Sequence, residues 1–212
     1  MKINVFTFGP FQENTYLLHN DENQFLLVDP GCFHPEEEKE LEEAVDKLGG
    51  KVQAILQTHC HIDHILGTAF SQETFEAKVY AHEKDLVWYN NAQAAGERYG
   101  LPVKAPKPVD VLIKEEETLK FGDLELEVMF IPGHAPGHVV FIHHESKQII
   151  GGDVLFQGSI GRTDLPYCDH DLLISGIKEK LYSLPDDYRV WPGHGPSTLL
   201  GEEKKTNPFV RI

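Results

Sequence analysis

Apolar positions along this chain follow two rhythms, strict alternation and a spacing of three or four, and the switches between them mark out its elements. Lys2 to Phe8, Thr15 to His19 and Phe25 to Val28 are short alternating or continuous apolar runs that read as strands. Gly9-Pro10 and Asn20-Asp21-Glu22-Asn23 separate them with turn residues. A helix is predicted from Pro35 to Leu48. Proline suits a first turn, Glu36, Glu37 and Glu38 oppose the positive dipole end, and Gly49-Gly50 stops the run. Leu41, Ala44, Val45 and Leu48 fall on one stripe, which leaves the acidic face to solvent.

Lys51 to Thr58 continues as a strand that runs directly into a group of histidines. Helix is expected from Ile65 to Phe75, strand from Lys78 to Ala81, and a second amphipathic helix from Glu83 to Tyr99. Leu101 to Pro108 is a proline-punctuated connection. The second half repeats the order, with strands at 110–113, 118–121, 123–131, 138–143 and 147–152, a helix from Asp171 to Leu184 and a strand at 188–191. This alternation, with no shift of composition, predicts one α/β domain over residues 1–212, built from two similar halves.

Composition narrows the partners. Thirty-four acidic residues against nineteen basic ones leave a net charge of −15, a surface that repels phosphate backbones and anionic lipid. Neither nucleic acid nor a membrane is therefore expected as a partner, and nothing in the chain fixes an oligomeric state. Cys32, Cys60 and Cys168 have no pair spacing, so no disulfide framework is implied. No signal-peptide core and no spanning run is found, and a reducing cytoplasm is the expected location.

Twelve histidines change the picture, because of where they fall. His59-Cys60-His61-Ile62-Asp63-His64 follows a strand, where alternation sends His59 and His61 to one side and Cys60 to the other. Two imidazoles so placed can grip one cation, while Asp63 and His64 can point to a second position in the turn that follows. Ile131-Pro132-Gly133-His134-Ala135-Pro136-Gly137-His138, Gly151-Gly152-Asp153 and Trp191-Pro192-Gly193-His194 each bring a His or Asp beside an apolar strand, next to a glycine that permits close approach. Five histidines and two aspartates could complete two metal sites that share a carboxylate. Closed structural zinc sites usually hold four ligands and favour thiolates, so this donor set points to open positions for water.

These segments resemble the metal motifs of the metallo-β-lactamase fold superfamily, and Val28-Asp29-Pro30-Gly31 extends the likeness toward the N-terminus. The resemblance implies a four-layer αββα sandwich, with two mixed β-sheets face to face and helices outside. It implies that His59, His61 and His138 hold one ion, that Asp63, His64 and His194 hold the other, and that Asp153 bridges. Asp29 would accept a hydrogen bond from a ligand histidine and fix its tautomer. By its spacing, His134, four residues before His138, could lie behind the ligands or, the more ordinary role, stabilise its turn. Imidazole and carboxylate donors suit two divalent ions, zinc first, with iron or manganese also fitting.

Within the superfamily, Gly152-Asp153-Val154-Leu155-Phe156, Gly158-Ser159-Ile160-Gly161-Arg162-Thr163-Asp164 and the ending Asn207-Pro208-Phe209 resemble short bacterial glyoxalase II-like hydrolases. That likeness implies hydrolysis of a small-molecule thioester of the S-2-hydroxyacylglutathione type by a metal-bridging hydroxide, with Asp63 and Asp153 at the reacting centre. Asp153 stands where the best-known lactamases carry cysteine, which disfavours antibiotic hydrolysis. Residues 195–212 are too few for the C-terminal helical segment with which full-length glyoxalase II enzymes grip glutathione. Arg162 could pair with a substrate carboxylate or with Asp164, and Tyr167 could touch substrate. The first histidine motif and Gly-Arg-Thr-Asp also resemble persulfide dioxygenases, in which one iron would sit on His59, His138 and Asp153.

Overall fold

A computed structural model describes residues 1–20 and 24–212; Asp21, Glu22 and Asn23, within one expected turn, lie outside the described residues. The first half builds a six-stranded sheet from β1 (Lys2–Phe8), β2 (Glu13–His19), β3 (Gln24–Val28), β4 (Lys51–Leu56), β5 (Lys78–His82) and β6 (Val111–Ile113), in that spatial order. Its first two pairings are antiparallel and its last three parallel. The second half supplies β7 (Thr118–Phe121), β8 (Leu124–Phe130), β9 (Val139–His143) and β10 (Gln148–Gly152), then a small hairpin of β11 (Leu155–Phe156) and β12 (Ser159–Ile160). With β13 (Arg189–Pro192) and β14 (Thr198–Leu199) these form a second six-stranded sheet ordered β14-β13-β10-β9-β8-β7, in which only β10 and β13 run parallel.

Alternation within the apolar strands explains the layering. Leu18, Leu26, Val28 and Leu56 point inward and pack against Leu126, Val128, Phe141 and Ile150 of the facing sheet. Their neighbours Leu17, Phe25, Leu27 and Ile55 point outward and pack with Leu41 and Val45 of α1 (Pro35–Leu48). On the far side Val140, Ile142, Ile149 and Val190 meet Leu173 and Ile177 of α6 (His170–Glu179). A strand buried on both faces has to read as a continuous apolar run, as Phe25-Leu26-Leu27-Val28 does. Each such side chain contributes about 1.5–3 kcal/mol on burial, so the stack of helix, two sheets and helix is the state that dries both faces. No helix among the described residues is long and apolar enough to cross a membrane.

Three local departures bear on the site. The helix expected from Glu83 to Tyr99 is broken into a 3₁₀ turn at Glu83–Asp85, α4 (Leu86–Tyr89) and α5 (Ala92–Arg98). The break falls at Asn90-Asn91, where the Asn91 side-chain amide donates to the Val87 carbonyl (2.8 Å), the local competition that makes asparagine a poor helix interior. Helix begins earlier than expected after the histidine group, as α2 (Ile62–Ile65) followed by α3 (Thr68–Phe75). The hairpin β11–β12, the short β14 and α7 (Leu200–Thr206) are unannounced by periodicity, because two-residue strands and a seven-residue helix hold too few positions to display a period. The acidic start of α1 is not all solvated either. Glu37 accepts from the backbone N–H of Gly9, Phe33 and His34 at 2.8–3.1 Å and so pins the β1–β2 turn to the helix.

Candidate metal centre

The chain segments after β3, β4, β8, β10 and β13 converge on one rim of the sandwich, and each delivers a His or Asp there. After β4, the His61 side chain carries Nδ1 to 2.9 Å from His134 Nε2, which also stands 3.2 Å from His59 Nε2. His134 Nδ1 donates to the Arg162 carbonyl (2.8 Å), so its Nε2 carries a lone pair. Burial drives the pKa of all three rings down, that of His61 to about 3, and their mutual repulsion adds to the effect at His59 and His61. Three neutral imidazoles thus crowd their nitrogens within 4.8 Å of one another. Lone pairs in that arrangement repel unless a cation lies between them.

The second cluster differs in charge. Asp63 Oδ2 lies 3.1 Å from His194 Nε2 and 3.8 Å from His64 Nε2. Asp153 stands between the clusters, with Oδ1 3.5 Å from His64 Nε2 and Oδ2 3.5 Å from His134 Nε2 and 3.6 Å from His194 Nε2. Burial opposes ionisation of Asp153, yet His64, His134 and His194 outweigh it and hold its pKa far below the usual carboxylate range. Behind the cluster, Asp29 accepts from the Thr58 N–H (2.7 Å), the Thr58 hydroxyl (2.5 Å) and His64 Nδ1 (3.1 Å). That bond leaves His64 Nε2 free to face inward. Glu13 Oε1 is 3.8 Å from the same His64 Nδ1, so four carboxylates surround one imidazole.

The donor atoms fit divalent cations. Among the described residues, His64 Nε2 and Asp153 Oδ1 of the donor set are buried without a hydrogen-bond partner, as are His61 Nε2, His138 Nδ1 and Glu13 Oε1 around it. Unpaired buried polar atoms of this kind cost about 1–3 kcal/mol each, more where charged, and metal ligation relieves those of the donor set. Residues 8–194 match the model of the Metallo-beta-lactamase superfamily. The chain belongs to the metallo-beta-lactamase superfamily. It is similar to hydroxyacylglutathione hydrolase GloC of Haemophilus influenzae, 37% identical over 212 residues that cover 99% of this chain and 98% of that one. The solved structure of BLEG-1 B3 metallo-beta-lactamase matches with a TM-score of 0.91 and 36% identity over 99% of each chain. That of TTHA1623 in a di-iron-bound form matches at 0.87 and 42%, over 98% of this chain and all of that one.

The structure places His134, and not the expected His138, with its nitrogen beside those of His59 and His61. His138 Nε2 accepts from the Asp153 backbone N–H (3.0 Å), and its ring stacks on His59 at 4.6 Å and 20°, so it braces a ligand candidate and does not converge with the others. His134 takes the third place beside His59 and His61. The signal was present in the chain: Asp153 and His194 come after a glycine at the end of β10 and just past β13, and Gly133-His134 follows β8 in the same way, whereas His138 precedes a strand. Gly133 is required there. Its φ is +126°, and a Cβ would press on the Leu173 nitrogen and Asp169 carbonyl at the start of α6. Gly193 is required for a different reason, since a Cβ would collide with Asp153 Oδ1.

Several supports were invisible to sequence patterns. Asn14 donates to the Pro192 and Gly195 carbonyls (3.0 and 2.8 Å), which fastens the His194 loop to β2. Asp85, buried in the 3₁₀ turn, accepts from the Cys60 N–H (2.7 Å) and the Gly137 N–H (2.5 Å) and ties the first histidine segment to the His134 turn. Above the clusters lies a cavity of about 490 Å³ with His61, Asp63, His134, Asp153 and His194 on its floor. Trp88, Tyr99, Phe156 and Leu165 form apolar walls, so the broken 83–99 helix does shape the site. Arg162 lines the cavity, and its guanidinium is held by Asp164 in a two-pronged ion pair. Tyr167 does not line it; the ring is 63% exposed and rests edge-on against Trp88 at 5.6 Å.

Proposed function

We propose that this metallo-hydrolase cleaves thioesters of the S-2-hydroxyacylglutathione type with two divalent cations. The observation that carries the reading is the position of Asp153 between two separate donor clusters at the floor of an apolar cavity. His59, His61 and His134 would hold one ion and Asp63, His64 and His194 the other, with Asp153 shared. Two ions so held would supply acidified water at neutral pH and polarise a carbonyl. The chain's part is to present the donors: the Arg162 carbonyl and Asp29 engage the Nδ1–H groups of His134 and His64, and so aim both Nε2 atoms inward. The apolar walls exclude bulk water and receive the acyl and thiol portions of the substrate. In the balanced reaction, water oxygen bonds to the acyl carbon and the carbon–sulfur bond breaks. The sulfur leaves as thiolate and is protonated, giving a carboxylic acid and a thiol.

Similarity to GloC supports the 2-hydroxyacylglutathione class. Mixed imidazole and carboxylate donors suit zinc, and similarity to a di-iron-bound structure supports iron as well. A reducing compartment, the cytoplasm, suits both a thiol carrier and three free cysteines. The one-iron dioxygenase reading is weaker, because His138 Nε2 is engaged by the Asp153 N–H and a single ion would leave the His64 cluster unfilled. Similarity to BLEG-1 brings β-lactams into the substrate panel despite Asp153. Elemental analysis should return about two ions per chain, and metal-replete protein should hydrolyse S-lactoylglutathione in a manner lost in His61→Ala. No turnover above background with a full metal complement would end the glutathione-thioester reading.

A further inference from the structure

The cavity distributes charge unevenly. Two arginines line it in a chain of net charge −15: Arg98, from the last turn of α5, and Arg162, from the loop after β12. Arg162 is already committed. Its Nε and Nη2 donate to the two oxygens of Asp164 at 2.7 and 2.9 Å, the fork geometry that binds a carboxylate most firmly. Arg98 is exposed and, among the described residues, has neither a hydrogen bond nor an ion pair. It stands beside Tyr99, whose ring meets Phe11 edge-on at 5.2 Å, so the unpaired guanidinium sits where an apolar wall reaches the cavity mouth. The only other charged side chains on the described lining are the floor aspartates, which the proposed ions would neutralise.

We propose that Arg98 is an anion-reading subsite, specific for a carboxylate on the thiol carrier of the substrate. Arg162 does not share this task because Asp164 occupies its fork. The inference rests on the thioester-hydrolase reading for turnover and stands apart from it for binding. A ligand that spans the site would place its scissile carbonyl at the floor, its apolar middle along Trp88 and Tyr99, and its carboxylate at Arg98. The carboxylate replaces water around an exposed cation, so the expected gain is moderate, on the order of tenfold in affinity.

The test uses two thioesters with the same acyl group, one built on 3-mercaptopropionate and the other on 3-mercaptopropionamide. They differ by one charge. The ratio of kcat/KM, anionic over neutral, should fall about tenfold in Arg98→Met and recover in Arg98→Lys, while Arg162→Met should move it less than about twofold. The change should lie in KM and not in kcat. The corresponding thioethers, which cannot be hydrolysed, provide a binding readout by calorimetry, with the same loss of carboxylate preference in Arg98→Met. An unchanged ratio in Arg98→Met, or a fall in Arg162→Met as large as in Arg98→Met, overturns the subsite and leaves the hydrolase reading standing. Absent turnover combined with intact discrimination between the thioethers does the reverse.

Discussion

One donor cluster is three histidines and the other an aspartate with two histidines, and the two differ in electrical character. Around His59, His61 and His134 lie the Thr58 hydroxyl near His59 Nδ1 (3.1 Å), the Arg162 carbonyl and the His138 ring, with the Asp29 carboxylate also near His59. Their rings are driven to the neutral state mainly by burial. His64 is equally buried, but Asp63 and Asp153 overcome desolvation and lift its pKa well above the ordinary value. The charged groups around a ligand thus decide its charge as much as its own chemistry does. The first cluster offers lone pairs. The second offers negative charge, and a cation entering it has to displace a proton.

The strongest way to break the comparison is to remove the group common to both clusters. Asp153→Asn should lower turnover by about 10²–10³-fold and bring the metal content below two ions per chain, read by elemental analysis and thioester hydrolysis. Retention of both ions would show that the clusters are independent. Next in size is the pair His134→Ala and His138→Ala. The first removes a donor and should cost about 10²-fold or more in activity with loss of one ion, whereas the second removes a brace and should cost about tenfold with both ions retained. Equal losses in metal and rate would restore His138 to the ligand set. Asp29→Asn should weaken only the cation held by His64, by about 10–100-fold in affinity, which metal titration of the two sites can resolve.

The smallest effect sharpens the comparison through pH, in metal-depleted protein. The folded pKa of His61 lies at about 3, below the ordinary 6.5, so between these values the unfolded chain binds more protons and stability rises with pH. The folded pKa of His64 lies above 6.5, so from 6.5 upward the folded chain holds a proton that the unfolded chain has lost, and stability falls. Urea denaturation across pH should therefore show both limbs, with His61→Asn making the acidic one less steep and His64→Asn the alkaline one, while His59, His134 and His138 and, on the alkaline side, His194 keep the remainder. An alkaline limb already flat in the unsubstituted protein would remove the contrast between the clusters.

Local physics determined a good part of this protein. Strands buried on both faces must be continuously apolar, the helix at Pro35–Leu48 needs its proline start and glycine stop, and a His-x-His-x-Asp-His segment after a strand has few uses other than metal. The fold class was legible from such signals, and they also pointed to His59, His61, Asp63, His64, Asp153 and His194, which the structure brings to one rim. Tertiary structure decided the rest because distance along the chain carries no information about convergence. His134 and His138 sit four residues apart in one turn, and contacts from distant segments, among them Gly133 against the start of α6, Asp85 on Gly137 and the Arg162 carbonyl on His134, orient the two rings. Glu13, Asn14 and Asp85 read as ordinary polar residues until β2 and the 3₁₀ turn carry them beside the donors. The contrast between Arg98 and Arg162 is likewise a property of neighbours: one guanidinium has Asp164 beside it and the other faces an open cavity.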